Sequence, residues 1–141
     1  MPHQLLEPRT RRIVRAGGGA RRLLRRALVA QASDARRINR IFDDVDVVLS
    51  PTLPRAPLRI GAYAGRGAMR TFNAAAGVVC FNAIWNHLGN PAMAVPAGFD
   101  AGGVPLSVQF AGAPESEETL LALAHQLEVA RPWADARPPI S

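Results

Sequence analysis

Residues capable of acid–base or nucleophilic chemistry are few in this chain, and their spacing excludes most familiar arrangements. The three histidines are His3, His87 and His125. None stands at the HxxxH spacing that would set two imidazoles on one helix face around a metal. No Gly-x-Ser-x-Gly elbow is present to carry a serine nucleophile on a strand-to-helix turn. Ser50 alone among the serines ends an apolar run and precedes a loop, a place from which a hydroxyl can meet a substrate. No base adjoins it in sequence. Cys80, the single cysteine, sits among apolar residues, where a buried, inert thiol is expected. Asp43, Asp44 and Asp46 cluster, and the first two fit a turn that ends a helix. All 17 basic residues are arginine, so this chain by itself supplies no lysine base, Schiff-base former or phosphate ligand. No self-contained active site emerges, and neither a metal nor a cofactor is expected.

The elements able to position a site centre on residues 82–111, NAIWNHLGNPAMAVPAGFDAGGVPLSVQFA. Gly89 can end a helix in the left-handed conformation, and Pro91 forbids its continuation. Ala92 to Val95 reads as a short strand covered on both faces, punctuated by Pro96 and Gly98. Asp100 to Gly103 is a turn. Val104 to Ala111 is a second strand, because Leu106, Val108 and Phe110 alternate with Ser107, Gln109 and Ala111.

Upstream, residues 20–42 fit one amphipathic helix with Leu24, Leu28, Gln31, Ala35, Ile38 and Phe42 on a shared face. Asp43-Asp44 ends it, and Val45 to Leu49 is a strand. Pro51 and Pro54 then start an extended loop that runs without period to Arg70. Thr71 to His87 is Ala-rich and helical, in two pieces broken near Gly77. Downstream, Ser116 can cap a helix whose stripe is Leu120, Ala124 and Leu127, flanked by Leu121 and Leu123. Glu117 and Glu118 suit its positive first turn. Pro132 closes that helix, and a Pro-rich tail follows.

A length of 141 residues fits one domain, and a hydrophobic fraction of 48% is ordinary for a globular chain. One cysteine builds no disulfide framework, which points to a reducing cytoplasm. No apolar run approaches the ~18 residues of a membrane span. The net charge of +6 is uneven: residues 1–40 carry 11 of the 17 basic residues against Glu7 and Asp34. The Arg-rich face of the 20–42 helix can be a solvated face on a packed helix, or a patch that meets nucleic acid or an anionic membrane surface. A charge run without interleaved aromatics favours the first account. Residues 1–19 read as flexible, and the Gly17-Gly18-Gly19 run lacks the Lys-Ser/Thr of a phosphate loop.

Three blocks carry a resemblance: FDDVDVVLSPTLPRAP, FNAIWNHLGNPAMAVPAGF and GVPLSVQFAGAPESEETLLALAHQLEVARPW. In that order and spacing they resemble the C-terminal part of the amidase signature family, and LEPRTRRIVRAG resembles the segment just upstream. The resemblance implies an α/β fold, a partial mixed β-sheet flanked by helices that forms the C-terminal portion of an α/β/α domain. All of 1–141 would then be a single partial domain. It also implies hydrolysis of linear amides by a Ser–Ser–Lys triad, with one serine as nucleophile, a second as proton relay and lysine as base.

This chain has no lysine and no consecutive serines, so no catalytic residue carries over. What carries over is a pocket wall, with Pro51, Thr52, Trp85 and Asn86 as substrate-binding positions. Trp85 as core filler and Asn86 as a helix-end hydrogen-bonder are equally open. Ser107 stands where the family usually has glycine. The expected partner is a complementing N-terminal half, with which the chain would bind a small amide substrate. Alone, the chain is expected to be inactive, to be marginally stable or to form homo-oligomers. Neither membrane nor nucleic acid is an expected partner. Two rivals remain: a non-catalytic binding protein that uses the 20–42 helix, and a fragment of the amidase subunit of a tRNA-dependent amidotransferase.

Overall fold

The computed structural model describes residues 7–17 and 21–136. Helices α1 (Pro8–Gly17) and α2 (Arg21–Ile38) lead through a 3₁₀ turn (Asn39–Asp43) into strand β1 (Val47–Pro51). Helices α3 (Ala68–Ala76) and α4 (Cys80–Leu88), strands β2 (Ala92–Phe99) and β3 (Pro105–Gly112) and helix α5 (Glu117–Ala130) complete the order. No helix is expected in 1–19 from the residues alone. Pro8–Gly17 is nevertheless helical, α1 lies against α3, and Gly18 and Gly19 lie outside the described residues. The break near Gly77 falls where expected, between α3 and α4.

The class is α/β, and β3 is the central strand in the order β1-β3-β2. Both pairings are antiparallel, so the mixed character expected of the sheet is not found among the described strands. The register sets Val47 opposite Gly112, Pro51 opposite Val108, and Ala92 opposite Ala111. Pro96 and Gly98 do not end β2 as expected. Pro96 pairs with Ser107 and Gly98 with Leu106, so Ala97 is the extra residue of a bulge. Proline is tolerated there because β2 is an edge strand, where a missing ladder N–H costs little.

The period of two gives the sheet two unlike faces. Val95, Val108 and Phe110 share one, and α5 packs across β2 and β3 on it. Ser50, Ala94, Gln109 and Ala111 share the other, which faces α4. Neither face is fully covered: Leu49 (60% exposed) and Leu106 (43%) lie on the α5 side, and Ala92 and Ala94 of β2 are exposed on the other. The expectation that β2 is covered on both faces is thus corrected, because the helices that cover a strand on both sides are only partly present.

Gly89, at φ 77°, ends α4 as expected. Its left-handed conformation lets the N–H groups of Gly89 and Asn90 both reach the Trp85 carbonyl, at 2.9 and 3.2 Å. Asn90 is then buried, and its Nδ2 donates to Asn39 Oδ1 at 3.0 Å and to the Gly112 carbonyl at 2.7 Å. Ser116 does not cap α5: its Oγ donates back to the Ala113 carbonyl instead. Leu120 is buried in the α5 stripe, Leu123, Ala124 and Leu127 are half-buried, and Leu121 is exposed.

The core is small. Trp85, Val95, Ala111 and Leu120 are the buried apolar side chains among the described residues. Leu24 and Leu28, expected on the packed stripe of α2, are 58% exposed, while Gln31, Ala35 and Ile38 farther along the same stripe are half-buried. The chain exposes 11196 Å² of surface. A compact monomer of this length would expose about 7,100 Å².

Replacing Asn90 with Ala removes both side-chain donors and leaves the Gly112 carbonyl and Asn39 Oδ1 without their partner. The expected loss is roughly 1–3 kcal/mol, read as a lower denaturant midpoint. Asn90→Asp should cost at least as much, because it sets a carboxylate against two acceptors.

Candidate functional site

Helix α4 runs along the small and polar face of the sheet. Its start is tied to Gln109, whose Nε2 donates to the Phe81 carbonyl at 3.3 Å. Its end is tied to Gly112 through Asn90. Between these ties Ala111 is fully buried and Ser50 half-buried, whereas Ala92 and Ala94 on β2 stay exposed. The consequence is a polar residue, Gln109, buried to 6% exposure between sheet and helix.

Around the start of α4, several polar atoms are buried without a hydrogen-bond partner. They include Ser50 Oγ, opposite Gln109 on β1, Thr52 Oγ1, just past the strand, and Asn82 Oδ1, next to Phe81. Thr71 Oγ1 on α3 and Asn90 Oδ1 just past the far end of α4 are further cases. Buried polar groups are nearly always paired in folded proteins, so such atoms call for a functional or assembly role. Together they offer hydroxyl donors and an amide acceptor, the complement of a substrate or backbone amide.

The four positions implied as substrate-binding fall into two pairs. Pro51 ends β1, exposed, and Thr52 continues the ladder by donating its N–H to the Ser107 carbonyl at 3.4 Å. Trp85 is buried, its ring 6.1 Å from Phe42 and tilted by 51°. Asn86 beside it is exposed. Thr52 is anchored at Ser107 and the Trp85 turn at Gly112, five residues apart on β3, or about 17 Å. The two pairs therefore occupy different ends of the wall formed by β1, β3 and α4.

Gln109 and Asn82 were not among the expected site residues. The alternation of β3 marks Gln109 as facing away from Phe110, but it does not say which face a helix covers. Cys80, expected to be buried, is exposed and free, because its side of α4 has no cover among the described residues. His87 Nε2 lies 3.4 Å from Asp34 Oδ2, and the His87 carbonyl accepts from Gln31 Nε2, which together dock α2 on α4. Among the described residues no three His, Cys, Asp or Glu side chains converge as metal ligands. No described helix is long and apolar enough to cross a membrane.

Comparison with known proteins places this geometry. Residues 1–121 match the family described as Amidase. The chain belongs to the amidase family. It is 50% identical over 140 residues to a Mycobacterium tuberculosis protein that bears the name "Putative amidase AmiB2", covering 96% of this chain and 30% of that protein. Its namesake AmiA2 from the same species is 40% identical over 118 residues, covering 84% of this chain and 24% of that protein.

Among solved structures, 6-aminohexanoate cyclic dimer hydrolase in complex with substrate superposes with a TM-score of 0.60 at 29% identity. That match covers 74% of this chain and 23% of the hydrolase. A second match, from the glutamyl-tRNA(Gln) amidotransferase of Thermotoga maritima, gives a TM-score of 0.62 over 88% of this chain and 27% of that one. At 21% identity it shows a shared fold. The chain thus spans about 30% of the length of the AmiB2 relative.

Two substitutions in this amidase wall separate packing from polarity. Thr52→Val removes a buried hydroxyl that has no partner and should leave stability unchanged or raise it by up to about 1 kcal/mol. Trp85→Ala should cost roughly 3–5 kcal/mol, enough to unfold a chain with so small a core. Thermal melts followed by circular dichroism test both, with Asn86→Ala as a surface control expected to stay within about 0.5 kcal/mol.

Proposed function

We propose that this chain is the C-terminal part of an amide hydrolase and that it supplies sheet and pocket wall, not catalytic residues. One observation carries the reading. A chain of amidase-family sequence keeps a three-stranded sheet and its α4 wall, yet among the described residues it leaves both sheet edges unpaired and buries four apolar side chains. Unpaired edges and open apolar faces are features that folded domains ordinarily cover. The remainder of an amidase would cover them here.

In this reading the reaction is acyl transfer. A serine oxygen attacks the amide carbonyl carbon, the C–N bond breaks, and the amine leaves with a proton returned by the relay. Water then hydrolyses the acyl-enzyme. The two serines and the lysine come from residues outside these 141, since the sequence contains neither a lysine nor adjacent serines. The role of this chain is to shape the acyl pocket with Pro51 and Thr52 at one end of the wall and Trp85 and Asn86 at the other. Ser50 and Asn82 hold hydrogen-bonding capacity ready beside the start of α4. An exposed free thiol at Cys80 suits a reducing, cytoplasmic setting.

The Arg-rich helix favours the same reading over a nucleic-acid surface. Leu23, Leu24, Leu28 and Val29 of α2 are all exposed, an apolar surface that suits packing against more protein better than contact with phosphate.

The purified 141-residue chain should hydrolyse no member of a panel of simple aliphatic and aromatic amides. Mixed or co-expressed with the remaining N-terminal part of AmiB2, it should form a stable complex and show turnover. Amide hydrolysis by the chain alone that survives stringent purification would overturn the proposal.

A further inference from the structure

The hydrogen-bond phase of the sheet separates backbone groups already in use from those left open. In an antiparallel ladder, bonded and non-bonded rungs alternate, and at a bonded rung both residues turn their N–H and C=O toward each other. Thr52 donates to Ser107, one rung past the Pro51–Val108 pair, and Gly112 donates to Pro91, one rung before the Ala92–Ala111 pair. Counting from these rungs, Val48 and Ser50 turn toward β3 from one side, and Met93 and Val95 from the other. The residues between them turn their N–H and C=O groups away from the sheet. They are Val47, Leu49 and Pro51 on β1, and Ala92, Ala94 and Pro96 on β2.

The two outer edges are not equivalent. On β2 the outward row breaks in mid-strand: Pro96 has no N–H to offer, Ala97 is bulged, and Gly98 follows at a φ of 97°. Proline and a bulge are devices by which sheets blunt an edge against a further strand. Ahead of them stand Ala92 and Ala94, and alanine is depleted in strands. On β1 the one proline is the last residue of the strand, and the outward row before it is Val47 and Leu49. Helix cover is offset in the same sense. Helix α5 packs over β2 and β3, while Leu49, on that same face of β1, is 60% exposed. A solvated face on a finished sheet would account for Leu49 but not for the contrast between the two edges.

On the reading that the chain is the C-terminal part of an amide hydrolase, we propose that a strand of the N-terminal part adds to β1, bonding Val47 and Leu49, and that β2 stays the outer edge of the completed sheet. The partner at β1 is an extended backbone segment, recognised by main-chain donors and acceptors at alternate residues. Its addition leaves the β1–β3 ladder intact, because Val47 and Leu49 give none of their main-chain groups to β3.

Amide hydrogen exchange resolved at single residues, on the 141-residue chain in complex with the N-terminal part of AmiB2, tests this. Val47 and Leu49 should exchange slowly, and Ala92 and Ala94 rapidly. Leu49→Pro removes an N–H that β3 does not use and should weaken the complex about tenfold or more. Ala94→Pro makes the same change on the other edge and should leave the affinity within about twofold, as should Leu49→Val, which keeps the N–H. Slow exchange at Ala92 and Ala94, or equal weakening by the two proline variants, overturns the assignment of β1. So does a complex in which Val47 and Leu49 exchange rapidly. If the two wild-type parts form no complex, the amide-hydrolase reading falls and this inference falls with it.

Discussion

One side chain ties the layers of this structure together. The Nδ2 group of Asn90 has two hydrogens and uses both, one on Asn39 in the 3₁₀ turn and one on the carbonyl of Gly112 at the end of β3. Its backbone N–H closes the last turn of α4 on Trp85. Gly112 completes the joint, because its N–H donates to the Pro91 carbonyl at 3.0 Å. A Cβ at Gly112 would collide with Ser116 Oγ. Four segments thus meet at one amide: the turn after α2, the end of α4, the end of β3 and the approach to α5. Aspartate has no donor for this joint, and glutamine is one methylene longer. Because α4 lies on one face of the sheet and α5 on the other, this point sets where both helical layers sit.

Much of the chain order was readable in its residues. Glycine and proline do what their backbone chemistry requires at Gly89, Pro91 and Asp100–Gly103. There Asp100 Oδ1 accepts from the N–H groups of Gly102 and Val104. The alternation along β3 was legible for the same reason: period two is a local property of an extended chain. What could not be read locally was anything set by a partner strand or helix. Pro96 looked like a strand end because its missing N–H matters only if a neighbour needs it, and at this edge none does. Ser116 has the residue type of a cap, but its Oγ turns back to donate to the Ala113 carbonyl and accepts no N–H of α5. The antiparallel pairing of all three strands likewise depends on register, which no single segment encodes.

The site was legible to a lesser degree. Family resemblance implies Pro51, Thr52, Trp85 and Asn86 as substrate-binding, and these fall at two ends of the elements β1, β3 and α4. Nothing in their types predicts that spacing. Gln109 reads as an ordinary outward-facing polar residue, yet a helix covers it. The difference lies in α4, whose two ends are tied over this face at Phe81 and Asn90. A row of small and polar residues on one face, opposite a row of Val, Leu and Phe on the other, is thus ambiguous between solvent and a closely packed helix until the helix is placed.

Hydroxyl and amide oxygens around α4 end up buried without partners. An apolar face under α4 would be cheaper in free energy, since each unpaired buried oxygen costs on the order of 1–3 kcal/mol. Ser50, Thr52 and Asn82 carry that cost near the start of α4, and Asn90 carries it at the far end, where its Nδ2 is paired twice but its Oδ1 is not. The Gly112 end holds the layers in register.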